Sequence, residues 1–265
     1  MLLKWSFGLL VLVMAACTSA PPEPKASPSQ LEGMWSDPPA TAEGTFCFFA
    51  CTEVGLDRLN ALLDDPANDA RPFPELQAEA GKHQRENYIR PRLTDAALET
   101  YPLDPADDPG FLRCEPWGLA RQMFAPHQVE IRQRADDRIE LRYGEWDALR
   151  TVHMDGRPRP AAQAPTLFGH SVGRWEGETL VVETAGVTAD ITGWDFQHSD
   201  GLRVIERFTR SADGDTLLLT ATIEDPWSLR EPLVFKKIWR WAPDQQITPY
   251  EDCEPAEEFS RGKGQ

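Results

Sequence analysis

The 265-residue sequence predicts a mainly β protein: an antiparallel meander closing into a barrel-like or sandwich domain, with a helical segment ahead of it. Three observations predict it. Period-two alternation begins after Cys114 and recurs in short segments to Trp241. Acidic or glycine-bearing connectors, Ala135-Asp136-Asp137, Glu176-Gly177-Glu178 and Asp213-Gly214-Asp215, separate several of these segments as hairpin turns do. No long helical pattern alternates with the strands, which argues against a parallel sheet.

Residues 1–16 come first as an export signal. Lys4 is the positive end, and the uncharged run from Trp5 to Ala16 is too short to span a bilayer. Met14-Ala15-Ala16-Cys17 resembles the lipobox of bacterial lipoproteins, with Met14 where Leu is commoner. The resemblance implies cleavage before Cys17, a thioether-linked diacylglycerol there, and a further acyl chain such as palmitate on the new amino group. Two or more chains give stable anchoring. Thr18, where retained lipoproteins tend to carry Asp, points to the outer membrane, facing the periplasm. Residues 17–31 hold four prolines and three serines between 18 and 30 and read as a flexible tether. A plain secretory signal is the alternative, and it predicts a protein free of the membrane.

Residues 32–112 read as helical and loop-rich. Spacing predicts a helix over 52–63, with Thr52 as cap and Val54, Leu56, Leu59, Leu62 and Leu63 on one face. A second helix is predicted over 74–88 and a third, shorter one over 94–100 with Thr94 as cap. Residues 101–110, rich in Pro and Asp, read as a loop. Within the β domain, 113–255, strands are predicted at 129–132, 139–143, 149–154, 169–175, 179–184, 202–210, 216–224 and 233–241. A disordered tail is expected at 256–265.

Four cysteines follow Cys17: Cys47, Cys51, Cys114 and Cys253. An even number in an oxidising compartment predicts two disulfides, and three connectivities are open. Pairing Cys114 with Cys253 is preferred because it ties the start of the β region to its end. The spacing lacks the paired C-x₂-C of common zinc sites, so no metal is assigned. No cofactor is assigned either. The formal net charge is −16. Such a surface repels phosphate backbones, which sets nucleic acid aside as a partner.

Several segments of the β region resemble a widespread family of exported bacterial proteins with no assigned activity. They include Met154-Asp155-Gly156-Arg157-Pro158 and Gly169-His170-Ser171-Val172-Gly173-Arg174-Trp175-Glu176-Gly177, followed by Thr179-Leu180-Val181-Val182-Glu183-Thr184. The family shares D-G-R-P and G-H-S-x-G-R-W-E-G-D-T-L-V-V-D-T segments, and the likeness spans about residues 110–255. Glu178 and Glu183 replace the usual Asp, and Arg159 stands where His is frequent. The resemblance implies export and a β fold and carries no chemistry.

Candidate functional residues come from polar side chains on apolar strand faces. Glu206 shares a face with Leu202, Val204 and Phe208, so a carboxylate there needs a partner or a raised pKa. His170 and Arg174 share a face of their strand, His198 precedes the Glu206 strand, and Asp225 ends the next. Together they are read as lining a barrel mouth, with His170, His198 and Glu206 as proton-transfer residues and Arg174, Asp225 and Trp175 as ligand contacts. A purely structural reading stands beside this, with Glu206 and Arg174 as a buried ion pair. Gly169-His170-Ser171-Val172-Gly173 matches the G-x-S-x-G nucleophile elbow, but the sequence after it reads strand, turn, strand, where the elbow requires a helix.

Three function classes follow in order. The first is a lipid-anchored module binding a small, partly apolar molecule in a barrel-like cavity. The second is an isomerase, lyase or hydrolase acting through His170, His198 and Glu206. The third is a cell-envelope structural or assembly factor.

Overall fold

In the computed structural model, residues 30–37, 50–103, 108–249 and 253–254 are described. The export signal, Cys17 and nearly all of the tether, Cys47, and the C-terminal tail lie outside them. Nine strands form a closed barrel. In chain order they are β1 (Gly33–Ser36), β2 (Val129–Arg134), β3 (Arg138–Tyr143), β4 (Leu149–His153), β5 (His170–Glu176), β6 (Thr179–Ala185), β9 (Arg203–Arg210), β10 (Thr216–Glu224) and β11 (Leu233–Trp241). Two further strands, β7 (Asp190–Ile191) and β8 (Gln197–His198), form a separate small sheet inserted between β6 and β9.

The predicted strands are all present, and β10 shows why. Its side chains alternate half-buried and buried along nine residues, with Leu217, Leu219, Ala221 and Ile223 inward. Full burial of each large aliphatic contributes about 1.5–3 kcal/mol. The sheet closes through β1, which pairs antiparallel with β11 (Trp35↔Trp241) and with β2 (Trp35↔Val129). That strand lies in the segment read as helix and loop; four residues are too few for a period-two signal. The sheet is also mixed. β4 and β5 pair in parallel at Val152↔Ser171 and His153↔Val172, because the long 154–169 connection returns the chain in the same direction.

The glycines of the G-H-S-x-G segment serve close packing. A Cβ on Gly173 would lie 2.5 Å from Met154 Sδ, and one on Gly169, where φ is +64°, 2.7 Å from the Ala185 carbonyl. Ser171 sits mid-strand and points inward, so no elbow exists.

The first two helices of the helical segment pack on the barrel exterior, while Ile89, Leu93 and Ala97 beyond them join the main core cluster. Helix α1 (Glu53–Leu63) starts as predicted at Thr52, whose Oγ1 accepts from Gly55 N at 3.1 Å. Helix α2 (Phe73–Gln84) lies against it, burying Leu59, Leu62, Leu76 and Ala80 together. It stops short of the predicted end: Arg85–Ile89 forms a π turn and Arg90–Arg92 a 3₁₀ turn around Pro91. Helix α3 (Asp95–Leu98) is capped by Thr94. Two more single-turn helices, α4 (Pro109–Leu112) and α5 (Leu119–Gln122), precede β2. The Cys114–Cys253 disulfide forms, with Cα atoms 5.8 Å apart, and Cys51 is also disulfide-bonded.

Candidate functional site

The inward residues of the barrel strands belong to one buried cluster, which also takes in residues from outside the strands, among them Ile89, Leu93, Leu119, Phe124 and Phe196. A polar core sits within it. Glu206 is 0 % exposed and Arg150, inward from β4, is 1 % exposed. Arg150 Nη1 donates to Glu206 Oε1 at 2.9 Å, and Nη2 donates to the other carboxylate oxygen. Nη2 also reaches Thr184 Oγ1 at 2.7 Å and Nε reaches Ser171 Oγ at 3.0 Å. Burial, the largest single influence, lowers the Arg150 pKa, but Glu206 and Tyr143 together outweigh it and the guanidinium is held above its ordinary range. Burial pushes the neighbouring Tyr143 up to about 12. The sequence identified Glu206 as an inward carboxylate and assigned it the wrong arginine in the structural reading. Arg174 points outward and pairs with Glu176 and Glu183.

A second inward cation went unread. Lys237 lies on the same β11 face as Leu233, Phe235 and Trp239. It donates to the Ala125 carbonyl and lies 4.6 Å from the Trp239 ring centroid. Asp37 Oδ1 is 4.0 Å away. Burial lowers Lys237 and raises Asp37. The alternation rule that picked out Glu206 identifies Lys237 equally well.

The remaining sequence-predicted residues separate. His170 stacks on His153 with ring centroids 4.7 Å apart, and its Nε2 donates to the Arg157 carbonyl at 3.2 Å. Burial, then the charge His170 can carry, lowers the His153 pKa. Trp175 packs half-buried against the core. No hydrogen bond or ion pair links His170, His198 and Glu206 to one another among the described residues.

His198 and Asp225 do come together, through Ser199. Asp225 accepts from Ser199 N at 2.8 Å, Ser199 Oγ at 2.6 Å and Ser228 Oγ at 2.8 Å. Burial opposes its ionisation, but these hydrogen bonds outweigh burial and hold the carboxyl below its ordinary range. The result pins the loop after β10 against β8. Between them opens a cleft of about 420 Å³ lined by Ala189, Asp190, Ile191, His198, Ser199 and Trp227. Trp227 is 43 % exposed there, while His198 is 2 % exposed.

The imidazole is chemically defined. Nδ1 lies 2.9 Å from the Ser199 carbonyl, which can only accept, so Nδ1 carries the proton. Burial lowers the His198 pKa and keeps the ring neutral at pH 7. Nε2 is therefore a lone-pair acceptor, and it is buried with no hydrogen-bond partner among the described residues. Among those residues no cluster of three His, Cys, Asp or Glu is placed to hold a metal.

The fold and this geometry define a closed mixed β-barrel with a side-chain-filled interior and a two-stranded insertion that carries a cleft with both apolar and polar walls. No family model, curated protein or solved structure matches the chain.

Proposed function

We propose that this chain is a lipid-anchored binding protein of the bacterial envelope, held by acyl chains on Cys17 in the outer membrane and facing the periplasm. Its ligand is a small, partly apolar molecule that carries a hydroxyl or N–H donor. The cleft beside β8 takes the place of the barrel lumen, because Phe208, Phe235, Trp239 and the Arg150–Glu206 pair already fill that lumen. The observation that carries the reading is His198: a buried, neutral imidazole in the lining of a cleft of about 420 Å³, with one acceptor nitrogen unpartnered among the described residues and an exposed Trp227 beside it. An unmatched buried acceptor costs about 1–3 kcal/mol, and a ligand donor removes that cost.

Binding is favoured over proton transfer because Glu206 is occupied by Arg150 and His170 by the Arg157 carbonyl. A ligand-observed NMR screen of small hydroxylated aromatics tests the proposal. Hits bound by the wild type and lost in His198→Phe support it. Hits that bind His198→Phe and wild type equally overturn it. Detergent partitioning tests the anchor: wild type enters the detergent phase, and Cys17→Ser remains in the aqueous phase.

A further inference from the structure

The turn of the β7–β8 hairpin borders a second cleft. The turn residues Gly193 and Trp194, together with Arg85, Trp117, Arg121 and Phe124, line about 380 Å³. Trp194 is 5 % exposed and stacks on Phe235, ring centroids 5.0 Å apart, so the cleft floor is continuous with the barrel core. Gly193 N donates to the Ala120 carbonyl at 3.1 Å and fixes the hairpin turn against α5.

Two features of this cleft call for an anion on an aromatic body. The first is a surplus of donors. The indole Nε1–H groups of Trp117 and Trp194 are both buried and have no acceptor among the described residues. Buried N–H donors are almost always paired, so two in one lining call for an explanation. The second is cationic. Arg121 lies over the Trp117 ring at 4.4 Å and Arg85 over the Trp194 ring at 6.0 Å. Arg121 is paired with Asp108. Among the described residues the one ion pair of Arg85 is with Asp195, at a loose 3.5 Å, which leaves most of its planar fork of donors available.

We infer that this second cleft binds an aromatic carboxylate. The aromatic walls take the ring, and Arg85 with the indole N–H groups takes the carboxylate oxygens. Charge-assisted, forked hydrogen bonds to a carboxylate are the strong kind, and the ring faces supply apolar contact beside them. Asp195 and Asp108 face the two guanidiniums, so the carboxylate is held by directed donors, the loosely paired Arg85 fork and the two indole N–H groups, and not by a net positive charge.

The test is calorimetric titration of the full mature chain in detergent micelles with 1-naphthoate, its amide 1-naphthamide, and micelles alone as baseline. The wild type is expected to bind naphthoate saturably, with the amide weaker by about tenfold or more, as befits a lost charged hydrogen bond. Arg85→Gln and Trp194→Phe are expected to weaken naphthoate by a similar factor, and His198→Gln to leave it unchanged. Arg85 is half exposed, so its variant decides the matter should Trp194→Phe fail to fold. Absence of saturable binding, equal binding of acid and amide, or an affinity that Arg85→Gln leaves unchanged overturns the inference. Loss in His198→Gln alone also overturns it, by placing the probe in the first cleft. The His198 proposal stands or falls separately, because its hits depend on a different side chain.

Discussion

Replacing Glu206 by Gln removes the charge that neutralises Arg150 and leaves the guanidinium 1 % exposed in the barrel interior. Ser171 and Thr184 still accept from it, but hydroxyls supply no compensating charge. Breaking a buried pair by removing one partner costs about 3–5 kcal/mol, because the survivor's desolvation is no longer offset. For a chain of this size each kcal/mol shifts Tm by about 2–4 °C, so a drop of about 6–20 °C is expected. Replacing both partners, as Glu206→Leu with Arg150→Met, removes the buried charge altogether and is expected to recover most of the loss. Ser171 Oγ and Thr184 Oγ1 remain hydrogen-bonded to each other at 2.9 Å in that variant, so few orphaned groups remain. The assay is urea unfolding followed by tryptophan fluorescence, with unchanged m values as the check on two-state comparison. A single variant within about 0.5 kcal/mol of wild type, or a double variant as unstable as the single, refutes the reasoning.

Other outcomes follow from the same geometry. Burial takes Lys237 from 10.5 to about 8. Between those values the unfolded chain holds the proton and the folded chain does not, so stability rises as pH rises through that window. Lys237→Met removes that rise in pH-dependent unfolding. The lowered pKa of His198 acts toward acid: below 6.5 the unfolded chain takes up the proton first, so stability falls with falling pH, and an NMR titration of the His198 ring reads its pKa below 6.5. The Cys114–Cys253 bridge spans 139 residues. Its loss in Cys114→Ser with Cys253→Ser is expected to cost about 3–5 kcal/mol in the same unfolding assay.

Strand positions were legible wherever alternation ran long enough. β10 and β11 match their expected limits, and Thr52 and Thr94 cap the helices they were read to cap. β1 and the two-residue strands β7 and β8 were not legible, because two to four residues carry no period and their pairing is tertiary. Which face of a strand turns inward was the harder question. On β5, His170, Val172 and Arg174 face out because the inward positions hold Ser171 and Gly173, and the approach of Met154 and Val152 demands small groups there. On β4, Leu149 faces solvent while Arg150 and Val152 face in, so polarity alone pointed the wrong way. Arg150 could be found only by asking which cation Glu206 requires. The convergence of His198, Asp225 and Trp227 depends on the loop after β10 meeting β8, which no local pattern encodes.

The claim that the hairpin cleft, and not the lumen, takes the ligand is tested most directly by chemical-shift mapping of a bound hydroxylated aromatic on the isotopically labelled chain. The account predicts that shifts concentrate on His198, Ser199 and Trp227 and leave Phe208, Leu219 and Trp239 unmoved. Shifts concentrated on those lumen residues, with His198 silent, would contradict it.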